Sequence, residues 1–130
     1  MKPIIKAKQL RKGDTVGIVA PASPPFDPGD IQFTFEWLQK LGLKCKVGKY
    51  VNNSYSDLAG TDDERLEDFH QMWADKEVSA IIPLRGGNGV SRLLPKIDFD
   101  LIAKNPKIIC GYSDITGLIN PIHQKTGLIT

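Results

Sequence analysis

The residue whose surroundings best fit chemistry is Ser113. It lies in "KIICGYSDITGLI" (107–119), where an apolar run ends in Gly111-Tyr112-Ser113-Asp114 and a second apolar run follows at helical spacing. Gly111-x-Ser113 at a strand-to-helix turn is most of a nucleophile elbow. The glycine leaves room for a tight, strained backbone that exposes the hydroxyl, and the Asp114 amide then points to where an oxyanion forms. The pattern departs from G-x-S-x-G, because Ile115 holds the place of the second glycine. A plainer assignment stays open, with Ser113 or Asp114 serving only as a helix N-cap.

A second segment, "RGGNG" (85–89), clusters backbone amides ahead of a short helical run. Such a cluster suits a phosphate, a carboxylate or an oxyanion. It is neither G-x-G-x-x-G nor a P-loop, since the spacing differs and no GK[ST] follows. A tight turn with no ligand explains it equally well. A serine nucleophile also needs a base, and the chain has only His70 and His123. His123 follows Ser113 by ten residues on the same predicted helix, roughly 15 Å at about 1.5 Å per residue. His70 sits about two turns into a helix leading away from the strand tips. Neither reaches the hydroxyl, and reach is the first test of a general base.

The elements that must position these segments are legible from periodicity. "TVGIVA" (15–20) is a short apolar run that reads as a buried strand, and "KCKVG" (44–48), "VSAIIPL" (78–84) and "KIICG" (107–111) read as three further strands. "DPGDIQFTFEWLQKLGL" reads as a helix with Asp27 as cap, Pro28 in the first turn and Gly42 at the exit. Its apolar face is Ile31, Phe35, Leu38 and Leu41. Thr61 to Glu64 form a capping box, and Leu66, Phe69 and Trp73 line the helix that follows. "VNNSYSDLAG" (51–60) reads as loop. Val90, Leu93 and Leu94 open a short helix that Pro95 stops, and "DFDLIAKN" (98–105) reads as another. Ile115, Leu118, Ile119 and Ile122 make a helical stripe, and "GLIT" (127–130) reads as the opening of a fifth strand. Strands of this kind alternating with amphipathic helices predict an α/β fold: a Rossmann- or flavodoxin-like parallel sheet with helices on both faces, occupying residues 1–130 as one domain. Function in such sheets collects at the carboxyl ends of the strands. "APASP" (20–24), "RGGNG" and "GYSD" (111–114) are therefore expected to meet.

Bulk properties narrow the partners. A net charge of +2 with scattered Lys and Arg argues against nucleic acid. No apolar run is long enough to span a membrane. The opening "MKPIIKAKQLRKGDTV" has no long apolar core or cleavage site, which predicts a cytoplasmic protein. Cys45 and Cys110 lie in apolar runs and read as buried free thiols rather than a disulfide or metal pair.

Four segments taken together resemble the N-terminal half of the LD-carboxypeptidases, the muramoyltetrapeptide carboxypeptidase family of serine peptidases, which also holds microcin-immunity-type proteins. They are "GDTVGIVAPASP" (13–24), "GTDDERLEDFHQMWADKEVSAIIPLRGGNGVSRLLP" (60–95), "IDFDLIAKNPKIICGYSDIT" (97–116) and "TGLIT" (126–130). The resemblance implies Ser113 as nucleophile, with an oxyanion hole from backbone amides near Gly86 or Gly87 and at Asp114. It implies a separate C-terminal domain, absent from this chain, that donates a Glu and a His to complete the triad. The implied reaction uses no metal or cofactor and removes the terminal D-Ala from murein tetrapeptides during cell-wall recycling. Arg85 is a candidate for the substrate carboxylate, because its fork suits one, although it also suits a structural tie on the glycine turn. Ser23 is a candidate for lining the pocket. The isolated chain is expected to be inactive and to self-associate as a homo-oligomer. Two other readings stand beside this one: a microcin-immunity-type amidase using the same serine, and a non-catalytic flavodoxin-like domain binding a phosphate at "RGGNG".

Overall fold

Four parallel strands form one sheet in the computed structural model, which describes residues 2–130. They are β1 (Thr15–Val19), β2 (Lys44–Val47), β3 (Val78–Pro83) and β4 (Ile108–Ile109), in the order β2-β1-β3-β4. The helices are α1 (Asp30–Lys40), α2 (Asp62–Ala74), α3 (Phe99–Lys104) and α4 (Thr116–Thr126). Short 3-10 turns occupy Val90–Arg92, Leu94–Lys96 and Ser113–Ile115. The chain moves outward from β1 to β2, then returns to place β3 on the other side of β1. That reversal is the topological switch point, and the crevice above it is where open α/β sheets bind ligands.

The two faces of the sheet are covered unequally. Val19, Ile81 and Ile109 turn toward α2, α3 and α4, where Phe69, Trp73, Ile102, Leu118 and Ile122 complete the larger core. Val16, Ile18 and Ala80 turn the other way, against Leu38 of α1. Helices thus lie on both faces as expected, but α1 alone covers the second. This asymmetry corrects the reading of Cys110 as buried: it is exposed, because no second helix covers its side of β4. It also explains why Leu41 and Phe35 of the expected α1 face stay exposed while Leu38 is buried.

The capping box at α2 is present in full. Thr61 Oγ1 accepts from Glu64 N at 3.2 Å, and Glu64 Oε2 accepts from Thr61 N at 2.9 Å. The start of α1 differs from expectation. Asp27 does not cap it. Its carboxylate accepts from Gly29 N at 2.7 Å, closing a local turn, so the helix begins only after Gly29. Pro95 continues rather than stops: it sits in the first turn of a second 3-10 segment, where its missing N–H costs nothing. "GLIT" adds no strand to the sheet. Leu128 pairs instead with Ile5 in an isolated parallel bridge.

β4 is also shorter than its apolar run. Lys107 is buried ahead of it and donates from Nζ to the carbonyls of Met72, at 2.9 Å, and Asp75, closing the C-terminal end of α2. Burial brings its pKa down to about 8.

His70 joins α2 to the start of α3, its Nε2 accepting from Asp98 N at 3.0 Å. Burial holds its pKa below the usual value, and only the neutral ring can accept this bond. A depressed histidine pKa adds stability that is complete above about pH 6.5 and is lost as pH falls through that value toward the folded pKa. The wild-type chain should therefore lose stability over that interval relative to His70→Ala. Urea melts of both proteins at pH 7.5, 6.5 and 5.5 check this, and a constant difference in stability would refute it.

Candidate active site

Ser113 has φ 59°, in the left-handed region, and Ser56 is the only other described non-glycine residue with positive φ. Tyr112 before it is extended, and Ser113 opens the 3-10 turn that runs into α4. The glycine two residues earlier is required by packing. A Cβ on Gly111 would collide with the side chain of Ile115, whose own Cβ would lie 2.9 Å away. Ile115, which breaks the G-x-S-x-G pattern, is thus the buried residue that folds back over Gly111. The Ser113 residue itself is exposed.

The glycine turn comes directly against this elbow. A Cβ added at Gly86 would lie 3.2 Å from Ser113 Cβ and 3.3 Å from both Ser113 Oγ and Asp114 N. Only a glycine permits so close an approach without displacement. The carbonyl of Gly86 accepts from Ser23 N at 3.2 Å. Because the peptide is planar and trans, the Gly87 N–H points the opposite way, away from Ser23. Among the described residues, the amides of Gly86, Gly87 and Asp114 have no protein acceptor.

Asp114 contributes a second tie. Its carboxylate accepts from Val90 N at 3.1 Å, joining the elbow to the 3-10 turn that follows "RGGNG". Ser23 is buried, and its Oγ accepts from Asn88 N at 3.2 Å. It braces the glycine turn and is not among the walls of the adjoining cleft. That cleft, about 410 Å³, runs beside α1 on the thinly covered face of the sheet. Phe26, Phe33, Arg85, Gly86, Cys110 and Tyr112 are among its walls. Arg85 donates to the Pro24 carbonyl at 3.1 Å and lies over the Phe26 ring at 3.5 Å, so one of its N–H groups is committed to the protein.

The three expected segments therefore meet, and neither histidine joins them. His70 is engaged with Asp98 and His123 with the Leu128 carbonyl, at 2.9 Å. Sequence reasoning overlooked Arg65, a buried guanidinium behind the glycine turn. Its position three residues after Asp62 resembles an ordinary surface helix pair. The arrangement places an exposed hydroxyl beside backbone N–H groups without a protein acceptor, two of the components that acyl transfer through an oxyanion uses.

Residues 16–130 match the family model described as the LD-carboxypeptidase N-terminal domain. The chain belongs to this family. It is 54% identical over 125 residues to a probable murein peptide carboxypeptidase of Bacillus subtilis, a match covering 96% of this chain and 39% of that protein. Its structure resembles an MccF-like protein from Bacillus anthracis with a TM-score of 0.92 at 32% identity, covering 97% of this chain and 39% of the other. It also resembles the microcin C7 self-immunity protein MccF in complex with aspartyl sulfamoyl adenosine, with a TM-score of 0.88 at 37% identity, covering 95% and 38%. The chain thus spans about 39% of the length of the Bacillus subtilis relative.

A left-handed backbone at a serine costs of order 1–3 kcal/mol, and glycine removes that cost while adding some chain entropy to the unfolded state. Ser113→Gly should leave stability unchanged or raise it by up to about 1 kcal/mol, whereas Ser113→Ala keeps the strain. Chemical denaturation of the three proteins reads this, and a clear loss of stability in Ser113→Gly would show the backbone to be relaxed.

Proposed function

We propose that this chain is the nucleophile-bearing part of a serine-type LD-carboxypeptidase acting on murein tetrapeptides. The observation that carries the reading is the left-handed, exposed Ser113 standing against the unpartnered amides of the glycine turn. The likeness to a murein peptide carboxypeptidase supplies the substrate class. Ser113 Oγ attacks the carbonyl that precedes the terminal D-Ala. The Gly86 or Gly87 amide, together with that of Asp114, holds the oxyanion; D-Ala leaves as the C–N bond breaks, and water then hydrolyses the acyl ester on Ser113 Oγ to free the shortened peptide. Arg85 takes the free carboxylate of the substrate through N–H groups that Pro24 does not use. The His that accepts and returns the proton, and the Glu that orients it, come in this reading from a further, C-terminal domain, as the family resemblance implies; both histidines here are held by backbone groups elsewhere. The site of action in this reading is the cytoplasm.

The test is D-Ala release from a murein tetrapeptide by three samples: this chain alone, this chain completed by the C-terminal part of a relative, and the completed protein carrying Ser113→Ala. The expected result is release by the completed protein only. Triad-less serine sites retain about 10³–10⁴-fold over water, too little to register for an amide. Turnover by the chain alone would refute the missing base, and activity in the Ser113→Ala form would refute the nucleophile. A second reading, an amidase of the microcin-immunity type, is favoured by the close structural likeness to MccF. An aminoacyl sulfamoyl adenosine offered to the same samples separates the two.

Exposed apolar side chains bear on assembly. Phe26, Phe33, Trp37, Leu41 and Tyr112 are all at least half exposed. Such a density drives association unless something covers it. The isolated chain should self-associate, with light scattering showing a mass that rises with concentration. A constant monomer mass would exclude this.

A further inference from the structure

We infer that Arg65 is a positioning residue of the Ser113 site: from behind, its guanidinium fixes the glycine turn against the elbow. The inference rests on the reading of the Gly86 and Gly87 amides as oxyanion donors.

Arg65 projects from the first turns of α2 and is 1% exposed. Its Nη1 donates to the Pro21 carbonyl at 2.6 Å and the Gly89 carbonyl at 3.1 Å, and its Nε to the Gly60 carbonyl at 3.3 Å. Its Nη2 pairs with the Asp62 carboxylate, which also takes Arg92 Nε at 2.8 Å. The three carbonyls belong to three separate connections: the one leaving β1, the one entering α2, and the glycine turn itself. One rigid fork therefore sets the relative position of all three.

The geometry around Gly89 shows how closely the turn is held. Gly89 has φ +104°, and a Cβ there would meet the Leu58 side chain and lie 3.2 Å from Arg65 Nη1. Ser23 grips Gly86 and Asn88 on either side of Gly87, and beyond Asn88 Arg65 grips Gly89 and Asp114 grips Val90. The Gly87 amide lies within this set of anchors. Removing one anchor lets the turn rotate, and an amide that flips presents its carbonyl where its N–H should be.

No other side chain replaces the fork. Lysine keeps the charge but is a point donor on a flexible stem and cannot hold several carbonyls in a fixed plane. An apolar residue leaves buried carbonyls without partners. A purely structural Arg65 would lower stability everywhere, whereas a positioning Arg65 loosens the glycine turn first.

The test is amide hydrogen exchange of the 130-residue chain, as wild type, Arg65→Lys, Asp62→Asn and Val16→Ala. Val16 is a core residue at the amino end of β1, so Val16→Ala controls for general destabilisation. The reporters are the Ser23, Asn88 and Val90 amides, whose bonds hold the turn. In Arg65→Lys they should exchange on the order of 10-fold faster, beyond any change at Lys44 N in the sheet. Asp62→Asn weakens the guanidinium's anchor together with the surface bond to Arg92, so it should shift them in the same direction if Arg65→Lys does not fold. Val16→Ala should spare them. Unchanged reporters in whichever variant folds, or equal acceleration in Val16→Ala, would overturn the inference. In the completed protein, Arg65→Lys should lower kcat by about 10²-fold with KM little changed, as expected for misplaced donors. A fall in KM-dependent binding alone would overturn it too. If Ser113→Ala proved active, the function reading would fail while the exchange data still decided the role of Arg65.

Discussion

The left-handed backbone at Ser113 is the constraint on which the rest of this structure turns. A β-carbon in that region is unfavourable by of order 1–3 kcal/mol, so the conformation persists only where the surroundings over-determine it. They do so from several directions. Ile115, Leu118 and Ile122 are each 2% exposed or less, and full burial of such a side chain is worth about 1.5–3 kcal/mol. α4 therefore cannot shift to relax the elbow without giving up more than the strain itself. The Asp114 carboxylate adds a directional bond to Val90 N. The helix is held by its greasy face, and the turn that begins it must take whatever angle remains.

That strain is useful only because the sheet brings a second loop to meet it. The order β2-β1-β3-β4 puts the exits of β1 and β3 side by side. Gly86 follows β3 and contacts the elbow that follows β4, while Ser23 follows β1 and braces the glycine turn at Gly86 and Asn88. The same topology leaves α1 as the sole cover of the second face. Ile82 and Leu84, at the edge of the smaller core, and Cys110 then line a cleft beside Phe33. The cleft and the strained corner thus share one physical origin, a sheet whose strands end together and whose second face is thinly covered.

What could be read from the sequence follows from how local each determinant is. The capping box at Thr61 needs four consecutive residues, and it is present as read. The elbow needs Gly111, Ser113 and the stripe from Ile115, all within one turn and the helix it opens. β1, β3 and β4 were legible because each lies in a short apolar run, although β4 proved shorter since Lys107 turns inward to cap α2. The failures are of a different kind. Cys110 looks buried until it is known that no helix covers its side of β4. Asp27 looks like a cap until Gly29 competes for its carboxylate. Arg65 looks like half of a surface pair, because its three carbonyl partners are 5, 24 and 44 residues away in sequence. Determinants that depend on distant chain segments leave no local signature.

The division of labour in the site follows from what each part must do. In the reading proposed above the oxyanion donors are the amides of Gly86 or Gly87 and of Asp114, and such donors gain their effect by being fixed before charge develops, so they belong on braced backbone. A proton acceptor has a looser requirement: it must come within hydrogen-bond reach of Ser113 Oγ when substrate is bound. An exposed hydroxyl at the rim of a sheet can accept such a partner from another domain, and a buried one could not. In the reading proposed above, the strained elbow therefore does two things at once. It aims the Asp114 amide at the developing charge, and it lifts Ser113 clear of its own core so that the base can arrive from outside. A relaxed helix N-terminus would do neither, because its first serine would turn its hydroxyl inward to cap its own amides.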